Sequence, residues 1–247
     1  MDHNLYHEIE DKAQILVDSL PYIRDFNQKI IIISFGCSNI LTDEEEQEVM
    51  RDIALMKSIG MRPIVVHDTK MGHDKFRENK RIAKMIEFCG VKAVGICGID
   101  LQTIHMTLDN DYIPVITPND IDNEDTPILP EEAAKEIAVS TGAEKVLFLG
   151  KEDGIRDDEG HIISQMTCDE VVKMYVAGKF EGRLLQKVTY ALQMIEQGVP
   201  RVHILGSKMA HALLVEIFSI IGVGTVIMPD KEHYYPHELK KRAAAAK

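Results

Sequence analysis

Lys29 to Asn39 read KIIIISFGCSN. Four consecutive isoleucines match a strand buried on both faces, as in a parallel sheet flanked by helices. The run opens into small residues around Gly36. Thr42-x-x-Glu45 follows, a capping box that starts a helix with Val49, Ile53, Met56 and Ile59 on one face. Strand, glycine loop and helix together can present a phosphate to backbone N–H groups. This loop, however, offers a single glycine and no lysine between strand and helix.

The same alternation continues outward. RPIVVH (62–67) is a buried strand and a charged helix follows near 74–89. VKAVGI (91–96) and YIPVIT (112–117) are further strands, and 130–141 is a helix with Pro130 in its first turn. The second half repeats the pattern with EKVLFLG (144–150), helices near 168–177 and 183–197, RVHILG (201–206), a helix near 210–219 and GTVIM (224–228). Apolar strands alternating with helices predict an α/β fold: a mainly parallel sheet in a three-layer αβα sandwich. Ahead of it, Ile9, Ala13, Leu16, Val17 and Leu20 fall at helical spacing over residues 2–20, and Pro21 is expected to end that amphipathic helix. No linker or repeat divides the chain. Asn119 to Pro127, NDIDNEDTP, is an acidic loop and the segment expected to move, and AAAAK after KKR reads as a frayed tail.

With 247 residues, 45% of them hydrophobic, the chain can bury the core of one large α/β domain or two modest ones. A net charge of −12 argues against general nucleic-acid binding and against an anionic membrane surface, since both require a basic face. Cys37, Cys89, Cys97 and Cys168 form no CxxC pair, which suits thiols in a reducing compartment. No apolar run is long enough to span a bilayer, and the acidic N-terminus lacks the features of a signal peptide. A cytoplasmic protein is expected. His3 with His7, and His233 with His237, have spacings that metals use, but no further ligands accompany them, so they read as surface histidines. Asp43 to Glu46 read as a helix start matching its own dipole rather than as a metal cluster. His67 reads as a strand residue satisfied by backbone, and Cys37 as a small residue in a glycine's place.

Longer blocks align with one family. KAQILVDSLPYIRDF (12–26), RPIVVH (62–67), NKRIAKMIEFCGVKAVGICGID (79–100), DNDYIPVITP (109–118), TGAEKVLFL (141–149), the DDEG turn (157–160), and GVPRVHIL, HALLVEIF and GVGTVI within 198–227 occur in family order. The sequence resembles N-acetylglutamate kinase, of the amino acid kinase superfamily, over almost its whole length. The resemblance implies a single amino-acid-kinase domain with an N-terminal helix (1–27), a substrate half (28–128), a nucleotide half (129–236) and a tail (237–247). It also implies transfer of the ATP γ-phosphoryl group to the side-chain carboxylate of N-acetyl-L-glutamate, in arginine biosynthesis, with Mg²⁺. Such catalysis is positioning plus neutralisation of phosphoryl charge by lysines, backbone N–H donors and an organising carboxylate.

The motifs themselves depart from the family. Where the first family strand ends in a motif like KYGG, this chain has Ser34-Phe35-Gly36-Cys37, so the lysine is gone and one glycine is a cysteine. HGGGP becomes His67-Asp68-Thr69-Lys70-Met71, which adds side chains where a backbone should approach closely, with Lys70 the cation that could compensate. The GLR-type segment whose arginine grips the α-carboxylate is missing between Gly72 and Asn79, leaving Arg77 as a displaced substitute. The family's N-x-D falls on Leu129 and Glu131, and TD-x-x-G on Gly150-Lys151-Glu152-Asp153-Gly154. GGM-x-PK becomes Glu181-Gly182-Arg183-Leu184-Leu185-Gln186-Lys187, which retains a lysine.

The resemblance therefore implies Lys187 and Glu131 as catalytic residues. It implies Gly36, Lys70, Lys151, Gly154, Gly182 and Arg183 as nucleotide- or phosphate-binding, with no protein metal ligand. Taken singly, Lys187 could be a solvated helix lysine and Gly36 a plain turn glycine. In some members of the family an extra N-terminal helix links dimers into arginine-sensitive hexamers. Residues 2–20 resemble that extension, so a homodimer or a hexamer is expected, although a helix packed on its own domain fits as well. Two functional readings follow: a phosphotransferase that is impaired or redirected to another acid, and an inactive pseudokinase that binds a nucleotide or anion or regulates a partner. A cation from Lys70 or Lys151 in the first-half phosphate site would favour the enzyme.

Overall fold

The computed structural model describes residues 3–36, 42–68, 74–119, 128–219, 222–230 and 235. In chain order the elements are α1 (His3–Asp25), β1 (Ile30–Phe35), α2 (Asp43–Ser58), β2 (Arg62–His67), α3 (Lys75–Phe88), β3 (Ala93–Cys97), α4 (Leu101–Asp109) and β4 (Ile113–Thr117). They continue with α5 (Pro130–Thr141), β5 (Lys145–Gly150), β6 (Gln165–Thr167), α6 (Cys168–Val176), α7 (Gly182–Glu196), β7 (Arg201–Gly206), α8 (Ala212–Phe218) and β8 (Thr225–Met228).

The strands form one sheet in the order β3-β4-β2-β1-β5-β7-β8-β6. All pairings are parallel except β7 with β8. Successive side chains of a strand point to opposite faces, so the isoleucine run divides its burial. Ile32 joins Val146, Phe148 and residues of α4, α5, α6 and α7 on one side. Ile31 and Ile33 join Leu147, Leu149 and residues of α1, α2, α3 and α8 on the other. Helices cover both faces, giving the αβα sandwich expected from the alternation. The Thr42–Glu45 capping box is present, with both reciprocal hydrogen bonds.

Four features differ from the sequence reading. Pro21 lies inside α1 and does not end it. The turns beyond the proline are held by Tyr22 and Phe26, each 1% exposed, which bind them to the core despite the lost N–H. The nine-residue α4 buries only Ile104 and Leu108, too few positions to show a period, although Asp100 caps it by accepting from the Gln102 and Thr103 amides. The three-residue β6 is likewise too short to stand out. Lastly, β8 runs antiparallel, a reversal that apolar content does not encode.

On α1, Ile15, Leu16, Val17 and Leu20 are exposed. No helix is long and apolar enough to cross a membrane among the described residues, and Cys89 and Cys168 form no disulfide. The 120–127 part of the acidic loop, Cys37, His233, His237 and the side chains of His3 and His7 lie outside the described residues.

Candidate functional site

The chain moves to one side of β1 to build β2, β3 and β4, then crosses to the other side for β5. The crevice beyond the carboxyl ends of β1 and β5 is therefore the topological switch point, where open α/β sheets bind ligands. A cavity of about 140 Å³ lies there, lined by Ser34, Gly36, Glu131, Leu149, Gly150, Lys151, Glu152, Arg183 and Lys187. A larger cavity of about 710 Å³ lies between α2 and α3, away from the strand ends. Its Arg81 is already engaged by Glu46 and Glu78, each at 2.7 Å.

Each side chain in the crevice is placed by a different element. Lys187 projects from α7 and is 4% exposed, and its amine donates to Glu152 Oε2 at 2.7 Å. Glu152 follows β5. Burial by itself would raise its carboxyl, but the hydrogen bond and charge of Lys187 outweigh that and hold it below its ordinary value. Arg183, in the first turn of α7, lies 3.6 Å from Asp68 and 4.0 Å from Glu131. Glu131 occupies the first turn of α5, where the helix dipole favours an anion. It is 4% exposed, and its Oε2 has no hydrogen-bond partner among the described residues. Gly150 is needed for space. A Cβ there would come within 2.5 Å of the Lys187 amine and 3.2 Å of Glu152 Oε2.

Beside the crevice, at the ends of β2 and β4, lies a buried polar chain. His67 Nδ1 donates to the Asp68 carbonyl at 2.9 Å, which leaves Nε2 to accept from the Thr117 hydroxyl at 3.0 Å. Burial pushes the His67 pKa down, keeping the ring neutral. The Asn79 amide donates to Thr117 Oγ1 at 2.8 Å and to the Val115 carbonyl at 2.9 Å. His67 is thus satisfied by backbone and by side chains together. Replacing Asn79 with alanine is expected to lower stability by about 1–3 kcal/mol, because it strands buried polar groups. Urea unfolding of Asn79→Ala against wild type measures this, and an unchanged midpoint would show the network to be dispensable.

Of the residues singled out from sequence, Gly36, Glu131, Lys151, Arg183 and Lys187 meet in one cavity. Gly154 and Gly182 do not line it. Gly154 packs on Thr225 at φ 145°, and Gly182 opens α7 at φ 54°. Lys70 lies outside the described residues. The sequence motifs assign no role to Glu152. The signal for it is a carboxylate directly after Lys151, in the loop leaving a strand at the switch point. No group of three or more His, Cys, Asp or Glu side chains is placed to hold a metal ion among the described residues.

Comparison with known proteins places these observations in context. Residues 82–206 match the model of the amino acid kinase family. Acetylglutamate kinase from Caldicellulosiruptor saccharolyticus is 30% identical over 291 residues, covering 90% of this chain and 99% of that protein. The aligned span exceeds the 247 residues of this chain, so the relative carries segments that this chain lacks. Acetylglutamate kinase from Campylobacter jejuni is 30% identical over 275 residues, covering 88% of this chain and 98% of that one. Among solved structures, N-acetylglutamate synthase from Neisseria gonorrhoeae, complexed with coenzyme A and L-arginine, superposes with a TM-score of 0.73 at 19% identity. That match covers 88% of this chain, which spans 65% of the synthase's length. Carbamate kinase from Giardia lamblia has a TM-score of 0.64 at 12% identity, with 82% and 99% covered.

Proposed function

The chain belongs to the amino acid kinase family and is acetylglutamate kinase-like, and from that premise we propose that it is a catalytically impaired member that binds nucleotide or another phosphate-bearing anion in the β1–β5 crevice. The family implies a nucleotide and a small carboxylate as ligands. The observation that carries the proposal is the charge arrangement at the crevice. Ser34 stands where the family resemblance implies a phosphoryl-contacting lysine, and the nearly buried Lys187 is bonded to Glu152. Arg183 faces Asp68 and Glu131. The cations for an anion site are present, but carboxylates of the same chain already face two of them.

The crevice, at about 140 Å³, is the size of a phosphate group rather than of a whole nucleotide, whose pockets usually measure ~300–1,000 Å³, so it would take only the phosphate end of such a ligand. Among the described residues lining the crevice, Lys151 is the one cation without a carboxylate ion pair; beside Gly36 it favours residual activity, whereas Lys187 and Arg183 would each have to release a carboxylate to hold a Mg·ATP phosphate. Wild-type binding is accordingly expected to be weak. Exposed apolar residues of α1 favour self-association through that helix, in the cytoplasm, as the second part of the same reading.

Calorimetric titration with Mg·ATP tests the binding function. Wild type is expected to bind with Kd on the order of 0.1–1 mM, and Lys187→Ala about tenfold more weakly, the equivalent of about 1.4 kcal/mol. Absence of binding by wild type up to about 10 mM, a range weaker than ~3 kcal/mol, would remove nucleotide from its function.

A further inference from the structure

Resting on that reading, we propose that Glu152 is a resident occupant of the anion position on Lys187, so that a phosphate-bearing ligand binds only by displacing this carboxylate. Three observations carry the inference. The Lys187 amine is buried, fixed by α7, and bonded to Glu152 Oε2 at 2.7 Å. The ion pair lies against Gly150, where an added Cβ would meet both partners. Space next to a glycine at a strand end is what lets phosphate oxygens approach the backbone, and here a side chain of the same chain fills it.

The third observation is an asymmetry between the partners. Lys187 has a side chain 5% exposed, whereas that of Glu152 is 24% exposed and belongs to the segment leaving β5. The carboxylate can turn outward into water while the amine stays. A charged oxygen held on a cation in a confined site competes with an incoming anion for the same hydrogen bond, and the anion must also accept the new like charge nearby. The chemistry shared by the ligands that could win is a phosphate or pyrophosphate group, free or carried on a nucleotide.

The test is calorimetric titration of the full chain with inorganic pyrophosphate and, separately, with Mg·ATP. Wild type, Glu152→Gln, Glu152→Ala and the double variant Glu152→Gln/Lys187→Met are compared, with thermal unfolding reporting that each is folded. Glu152→Gln is expected to bind pyrophosphate at least about tenfold more tightly than wild type, and the gain to vanish in the double variant. Glu152→Ala repeats the result if the glutamine variant folds poorly. A gain for pyrophosphate without one for Mg·ATP upholds the inference and assigns the site to free phosphate chemistry. Binding by Glu152→Gln with none by wild type also upholds it, while removing nucleotide binding from the wild-type protein. Equal, measurable binding by wild type and both single variants overturns the inference and leaves the proposed function standing. A gain that survives loss of Lys187 overturns it as well, and no binding by any variant overturns both.

Discussion

Lowering the pH from about 7 to 4.5 is expected to remove about 2–3 kcal/mol of stability through one buried imidazole. His203 in β7 is 3% exposed, and burial, with the positive charge of Lys145 nearby, pushes its pKa down to about 4. Its Nδ1 donates to Glu216 of α8 at 2.7 Å, and Glu216 also accepts from the Gly224 amide at 3.1 Å. Because the folded pKa lies below the ordinary value near 6.5, the unfolded chain takes up a proton that the folded chain refuses. The stability is therefore complete above about pH 6.5 and is lost as the pH falls toward 4. Glu216 works in the same direction at lower pH. Burial opposes its charge, but the His203 hydrogen bond leads the contacts that outweigh burial and hold its carboxyl below the ordinary value. Urea unfolding at pH 7.5 and 4.5 measures the loss. His203→Asn, which retains a donor toward Glu216 without titrating, should reduce the loss by most of this amount. Equal acid sensitivity in the variant would place the effect elsewhere.

Assayed with Mg·ATP and N-acetyl-L-glutamate, the protein is expected to release ADP at least about 10³-fold more slowly than its Caldicellulosiruptor relative. Loss of one preorganised donor to a transition state costs ~10²–10³ in rate. Here the end of β1 supplies Ser34 instead of the implied lysine, and the remaining buried lysine holds a carboxylate. The two effects act on the same transferring group, so they are not expected to multiply fully. The comparison of rates under one set of conditions is the measurement. Turnover within about tenfold of the relative would mean that another cation reaches the phosphoryl group and would restore the reading of an active carboxylate kinase. ADP release with a different small acid and none with acetylglutamate would point to a redirected substrate.

The fold was legible wherever burial is periodic or continuous. The isoleucines of β1, the apolar strand RVHILG and the Pro130 helix start each carry a local signal strong enough to set type and position, and their neighbours then fix the layers. What the sequence hid depends on distant contacts. Pro21 reads as a terminus because nothing local reveals that Tyr22 and Phe26 will be pinned in the core, and the antiparallel entry of β8 depends on how α8 returns the chain. The site was half legible for the same reason. Lys187, Arg183 and Glu131 come from two helices, and family spacing named them one at a time. Their pairing with Glu152 and Asp68 joins residues that are distant in sequence, and no spacing within one segment predicts which carboxylate faces which cation.

The reversal of β8 has a practical corollary. Because it runs against β7, the chain leaves the sheet at the end where β5 and β7 begin, opposite the crevice. There the ring of Tyr235 packs edge-on against Phe26 at 5.1 Å and lies 4.0 Å from the Arg201 guanidinium. A fluorophore or surface tether joined just past Tyr235 would start from the far pole of the molecule and leave the crevice facing solution. Cutting the chain before Tyr235 would instead remove the aromatic ring that covers the buried Lys145 and Arg201, so reporter fusions should preserve that residue.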